Sequence, residues 1–219
     1  MLKDELATAL SRSRLGKTRL PSRARKQAVP VHQGEGTKLM PTLFETFKTR
    51  AEAVSAEVHR VGTRGEAIEF IGNLLKSEKG RSVWVAGSLL DGVDRAALAS
   101  QIPGLTFDVT REAAEASKVG ITEMECAIAD TGTLVTDAAP VERRLASALP
   151  LIHIAVVPTD AIQPDMASAL ARVHPSQTGY ISMITGPSRT ADIERVLTIG
   201  VHGPARLVVV FVDELGRNR

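Results

Sequence analysis

The sequence predicts an α/β protein built on a mostly parallel, open sheet with helices on both faces. Three observations carry that class. Short, near-continuous apolar runs recur along the chain: Ser82 to Ala86 (SVWVA), Leu105 to Val109, Leu151 to Val157 and Arg206 to Val212 (RLVVVFV). Runs rich in β-branched residues, without polar alternation, are strands covered on both faces. Short helical segments lie between them, so strands and helices alternate. Finally, 219 residues with 43% hydrophobic and 24% charged composition are enough for one well-buried domain.

Taken in order, Leu2 to Leu10 reads as a short amphipathic helix, with Leu2, Leu6 and Leu10 four residues apart. From Ser11 to Ala28 stand Arg12, Arg14, Lys17, Arg19, Arg23, Arg25 and Lys26, with no acid, before Pro30, Gly34 and Gly36. Residues 1–36 are therefore expected as a short helix and a basic flexible arm. A solvated tail and an arm that docks on a partner or a second subunit both fit this composition. Residues 37–219 are expected as the α/β domain, with 37–79 as a helical layer packed on its sheet. Leu39 to Val61 carries a helical stripe in Leu43, Phe44, Phe47, Ala51, Val54, Val58 and Val61. Thr63 and Glu66 form a capping box that starts the next helix, which ends by Lys79-Gly80.

Asp91 to Ser100 is expected as a helix, and Thr110 as the cap of another reaching Ser117. Glu125 to Asp130 and Thr133 to Thr136 are apolar segments on either side of Thr131-Gly132, either a tight hairpin or one bent strand. Val141 to Ala148 and Asp160 to Val173 read as helices, and Tyr180 to Thr185 as a strand. Ser188 to Leu197 is expected to be helical, with Ser188 or Thr190 as N-cap and Asp192 and Glu194 in the first turn.

Composition excludes several function classes. The net charge of +2 gives no case for specific nucleic-acid binding, and 3% aromatic content leaves few stacking platforms. Cys126 is the one cysteine, so the chain forms no internal disulfide and binds no iron–sulfur cofactor with its own thiols. Its apolar context reads as a buried small residue rather than a nucleophile. No apolar run approaches bilayer-spanning length, and the opening MLKDELATAL has charges where a signal peptide needs an apolar centre. A cytoplasmic location is the expectation. The five histidines, at positions 32, 59, 153, 174 and 202, show no metal-ligand spacing, and no metal is expected. Neither GxGxxG nor GxxxxGK[ST] is present.

Three loops could carry chemistry. In the first, Gly186-Pro187-Ser188-Arg189-Thr190 lies between an apolar strand and an expected helix start. Free N–H groups there, with Gly186, Ser188, Arg189 and Thr190, would suit an anionic group; a capped helix with Arg189 in solvent fits equally. The second is the turn Asp130-Thr131-Gly132-Thr133, whose hydroxyls either contact a polar ligand or satisfy local backbone. The third places His202 between Gly200 and Pro204, at the entrance to the last strand, as a proton-transfer group, an anion ligand or a loop hydrogen bonder. Glu123 and Glu125 flank Met124, and alternation would set both on one face of an extended segment as candidate bases. Arg143 and Arg144 are candidates for carboxylate or phosphate contacts, or a solvated helix face.

Taken together, GITEMECAIADTGTLV (Gly120 to Val135), LPLIHIAVVP (Leu149 to Pro158), GPSRTADIE (Gly186 to Glu194) and GVHGP (Gly200 to Pro204) resemble the lactate utilization protein C family, also called the LUD domain family. The resemblance covers Leu39 to the C-terminus and is strongest after Gly120. It implies a Rossmann-like fold of the NagB/RpiA/CoA-transferase kind. It also implies a non-redox part in oxidising L-lactate to pyruvate, alongside iron–sulfur partner proteins. A small anionic ligand would then sit at a switch-point pocket formed by the Gly186, Thr131 and His202 loops. Asp130 departs from the glutamate expected in this family's turn and is one methylene shorter. A stand-alone enzyme for a phosphorylated, CoA-linked or folate-like molecule is the alternative, with Glu123, Glu125, Asp130 or His202 as catalytic group; a nucleotide or CoA-like ligand is left open. An interaction module working through the basic arm is a third reading, and a homo-oligomer is compatible with each.

Overall fold

A computed structural model describes residues 41–191, 197–199 and 203–215. In chain order the elements are α1 (Leu43–Ala53), β1 (Ala56–Val61), α2 (Arg64–Glu78), β2 (Ser82–Trp84), α3 (Arg95–Gln101), β3 (Leu105–Thr106), α4 (Arg111–Glu115), β4 (Val119–Glu123), β5 (Cys126–Ile128), β6 (Thr133–Asp137), α5 (Val141–Ala148), β7 (Ile152–Pro158), β8 (Ile162–Gln163), α6 (Met166–Arg172), β9 (Ile181–Ile184), β10 (Arg189–Ala191), β11 (Leu197–Ile199) and β12 (Arg206–Val212). Six of the strands form one sheet in the order β1-β12-β7-β4-β2-β3. Every pairing in it is parallel, in agreement with the expected fold class.

The central strands show why apolar runs without alternation belong in such a sheet. In β12, Val208, Val210 and Val212 join one core with α2 residues Ala67, Ile71 and Leu75. Leu207, Val209 and Phe211 join a second core on the opposite face, with α1 residues Phe47 and Ala51. Phe44 and Phe47 pack edge-on against Phe211, with ring centroids 5.4 and 5.1 Å away. In β7, Ile152, Ile154 and Val156 face the first core, and Ala155 and Val157 the second. His153 shares the parity of Ala155 and Val157, so a polar ring lies on the second face.

A four-stranded sheet, β8-β5-β6-β9, adjoins that second core. The segments around Thr131-Gly132 form an antiparallel β5–β6 hairpin rather than one bent strand. Thr63 caps α2 through the expected box, and Thr110 caps α4. Both α5 and β12 occupy the expected spans.

Three expectations are corrected, and one strand is added. The stripe from Leu39 to Val61 is not one helix. It divides into α1 and β1, so residues 37–79 supply an edge strand as well as helices. Val54 and Val58 fit a helical spacing, but Ser55 turns to a φ of 71° and ends the helix between them. Asp160 to Val173 divides at Pro164, with β8 before it and α6, capped by Asp165, after it. A strand absent from the sequence reading, β4, begins at Val119, where Gly120 interrupts the apolar pattern. Finally, no helix starts at Ser188. Arg189–Ala191 pairs antiparallel with Leu197–Ile199, because cross-strand pairing outweighs the local helix-start signals.

Among the described residues, no helix is long and apolar enough to cross a membrane.

Candidate functional site

Beside the amino-terminal ends of β7 and β12, a cleft of about 290 Å³ opens. Its walls are Ser147 and Ala148 of α5, His153, the run Ser182 to Ser188, and Gly203, Pro204 and Leu207. Loops carrying Gly186 to Ser188 and Gly203-Pro204 meet here, joined where the Ser188 N–H donates to the Pro204 carbonyl at 2.8 Å. Ligands of open α/β sheets usually sit beyond the carboxyl ends of strands. This cleft lies at the opposite ends and on a face, where the Gly186 loop, one of the three expected to form the pocket, lines it.

Local packing explains how α5 reaches this position. Gly120 of β4 pairs with His153 of β7. A Cβ on Gly120 would stand 1.9 Å from the Ala146 carbonyl oxygen. Only a residue without a side chain lets α5 lie so close to the sheet. That approach sets Ser147 and Ala148 as one wall of the cleft.

His153 is the central feature and was not among the sequence-derived site residues. It is 1% exposed. Its Nε2 lies 2.8 Å from the hydroxyl of Thr122, which is itself fully buried on β4. Its Nδ1 is buried and has no hydrogen-bond partner. Burial pushes its pKa down from the ordinary 6.5 to about 4, so the imidazole is neutral at physiological pH. A histidine inside the all-apolar run LPLIHIAVVP was the signal that could have found it.

The sequence-derived candidates separate into groups. Gly186 and Ser188 line the cleft. Thr131 and Thr133 do not, but they reach it through a hydroxyl chain: Thr131 donates to Thr133 Oγ1 at 2.8 Å, and Thr133 pairs with Thr185 of the cleft wall at 2.8 Å. Gly132, at φ 66°, presses on α1; a Cβ there would meet the Ala51 backbone nitrogen at 2.5 Å. Gly186, at φ 69°, likewise abuts the Val54 carbonyl oxygen, 2.6 Å from its would-be Cβ. Arg189 donates to that carbonyl at 2.8 Å and to Ser55 Oγ at 3.1 Å. Arg189 therefore sits on the negative end of α1 and is not part of the cleft wall. The N–H groups expected of a helix start at Ser188 belong instead to a hairpin strand. In that hairpin, Thr190 pairs with Thr198. His202 lies outside the described residues.

The acids are dispersed. Glu123 ends β4, and its carboxylate accepts from the Ser88 N–H at 2.9 Å, the Ser88 hydroxyl at 2.9 Å and the Leu89 N–H at 2.6 Å. It ties the turn after β2 to β4. Glu125 has left that sheet and accepts from the Asp137 N–H at 2.7 Å and from Arg143. The shared face expected of Glu123 and Glu125 is lost because the chain passes between sheets at Met124. Arg144 donates to the carbonyls of Ala138 and Ala139 and stacks 5.3 Å over the Tyr180 ring. Asp130 is exposed in the hairpin turn, where its N–H donates to the Pro164 carbonyl at 3.3 Å. Cys126 is buried, and burial pushes its thiol up to about 11, as its context suggested. Among the described residues, no cluster of three or more His, Cys, Asp or Glu could hold a metal ion.

Fold and cleft together define an α/β protein with a parallel main sheet, a smaller mixed sheet and an uncharged pocket at their junction. The chain belongs to the LUD domain family, whose model matches residues 44–212. Curated relatives include a lactate utilization protein C from Exiguobacterium sp., 37% identical over 114 residues, which are 49% of this chain and 50% of that protein. Another, from Macrococcus caseolyticus, is 38% identical over 109 residues, 47% of each chain. A third, from Geobacillus thermodenitrificans, is 37% identical over 109 residues, 47% of this chain and 45% of that one. The match spans about half the length of these relatives. The crystal structure of a DUF162 family protein from Deinococcus radiodurans shares the fold, with a TM-score of 0.54 at 23% identity, over 78% of this chain and 96% of that one.

Proposed function

We propose that this protein is a non-redox component of an L-lactate utilization system, acting with iron–sulfur partner proteins that carry the electrons. The observation that carries this reading is LUD family membership together with relatives named lactate utilization protein C. The chain's single cysteine, buried and held as a thiol, supports assigning cluster ligation to partners. A small ligand with carbonyl or carboxylate oxygens binds in the cleft at His153. The volume of about 290 Å³ is at the lower end for ligand sites and suits a small metabolite better than a whole nucleotide or CoA ester. Anionic charge would be met by hydroxyls of the wall, since no described wall residue is cationic.

Deletion of the gene in its host, in a background without another lactate oxidase, tests the role. Loss of growth on L-lactate, restored by the full chain, is the expected outcome. Normal growth of the deletion strain would overturn it.

A further inference from the structure

Among the described residues, four buried side-chain polar atoms lack a partner: Ser82 Oγ, Trp84 Nε1, Thr159 Oγ1 and His153 Nδ1. Of these four residues, only His153 lines the cleft. Native proteins rarely leave such atoms unpaired, so each orphan calls for an explanation.

The partner on the other side of the ring decides which proton state the orphan has. The Thr122 hydroxyl is fully buried, and its hydrogen bond is to His153 Nε2 at 2.8 Å. Were Nε2 the donor, the buried hydroxyl proton of Thr122 would have no acceptor and Nδ1 would be an unpaired acceptor as well. With Thr122 donating to Nε2, a single group is left over, the Nδ1–H. One unsatisfied buried group is favoured over two. The imidazole is kept neutral by its burial, so this tautomer is maintained through the physiological range.

We propose that Thr122 fixes the His153 ring as the Nδ1–H tautomer, and that this N–H is the recognition donor for a carbonyl or carboxylate oxygen of a small ligand in the cleft. The proposal rests on the cleft being the ligand site and names the atom and chemistry that select the ligand. His153 binds as a donor and takes no proton; Thr122 is a positioning residue acting through it. Ser147, Ser182 and Ser188 surround the site with further hydroxyls, which suits an oxygen-rich small molecule. A purely hydrocarbon ligand would leave the N–H unmet.

Two-bond ¹H–¹⁵N correlation spectra of the ¹⁵N-histidine-labelled full chain report the protonated nitrogen directly. His153→Gln assigns the resonance. The expected spectrum shows His153 neutral with the proton on Nδ1, and an Nδ1 shift on adding pyruvate, L-lactate or the uncharged analogue lactamide at millimolar concentrations. Thr122→Val, which keeps the side-chain shape, mixes the tautomers and weakens binding roughly tenfold, the worth of one good hydrogen bond; Thr122→Ser restores both. A proton on Nε2, or no response of Nδ1 to any of the three compounds, overturns the proposal. The growth test is independent. A responsive Nδ1 in a protein dispensable for lactate growth would retire the pathway assignment alone, and the converse result would retire this inference alone.

Discussion

Arg189 shows how one residue changes meaning between sequence and structure. In GPSRTADIE it stands where a helix start would present a cation to an anion. In the fold its guanidinium holds the Val54 carbonyl and Ser55 Oγ at the end of α1. Arg189→Ala is expected to cost about 0.5–1 kcal/mol of stability, the usual worth of a cation at a helix carboxyl end, while the affinity of the proposed cleft ligand stays within twofold of the parent. Chemical denaturation paired with ligand titration checks this; a large loss of binding at unchanged stability would return Arg189 to the ligand. His153 is the opposite case. The sequence displays it in an apolar strand, but its unpaired nitrogen, its Thr122 partner and its cleft arise from pairing β4 with β7. No local pattern contains that information.

At the scale of elements, the close approach of α5 to β4 makes Gly120 the tightest of the described glycines against a would-be side chain. Gly120→Ala would put a methyl group against the Ala146 carbonyl. The expected cost is about 3 kcal/mol, at the upper end for overpacking, with α5 displaced and the Ser147 wall of the cleft lost. Urea denaturation measures the first effect and ligand titration the second; a variant as stable as the parent would show that α5 does not need this contact. Elements with complete local signals were legible in the sequence. The capping box at Thr63, the α5 segment and the β12 run each specify their own structure. Those decided by partners distant in sequence were not. Leu197–Ile199 turns Arg189–Ala191 into a strand, and a positive φ at Ser55 separates α1 from β1. For the site, Gly186 and Ser188 were visible as wall residues because their loop is a distinctive motif. The link from Thr131 and Thr133 to Thr185 depends on β6 pairing with β9.

For the whole molecule, acid is the condition that tests the fold. His153 in the folded protein takes a proton only near pH 4, whereas an unfolded chain takes it near 6.5. As pH falls between those values, the unfolded state binds more protons and stability is lost. The loss approaches about 3 kcal/mol by pH 4. Glu57, held down chiefly by its bond from Arg206, and Glu78, held down chiefly by Lys118, act in the same sense at lower pH. Their contribution is present above the ordinary carboxylate value of 4.5 and disappears as pH falls through their depressed values. Urea midpoints at neutral pH and at pH about 5 should therefore decline for the parent and much less for His153→Gln. Equal declines in both proteins would place the acid sensitivity elsewhere.

The order β1-β12-β7 has a consequence for how the protein is made. The strand at the middle of this trio is the last strand of the described chain, and it bonds on one side to the first. During synthesis, β1 and β7 emerge with a vacant lane between them, and their unpaired edges wait for residues 206–212. Pairing across so much sequence is slow to nucleate, and open strand edges invite association with other chains. A chain ended before Arg206 has no strand to join β1 to β7. Chaperone dependence in the cell should then be governed by when the carboxyl-terminal strand arrives, rather than by the stability of the finished fold.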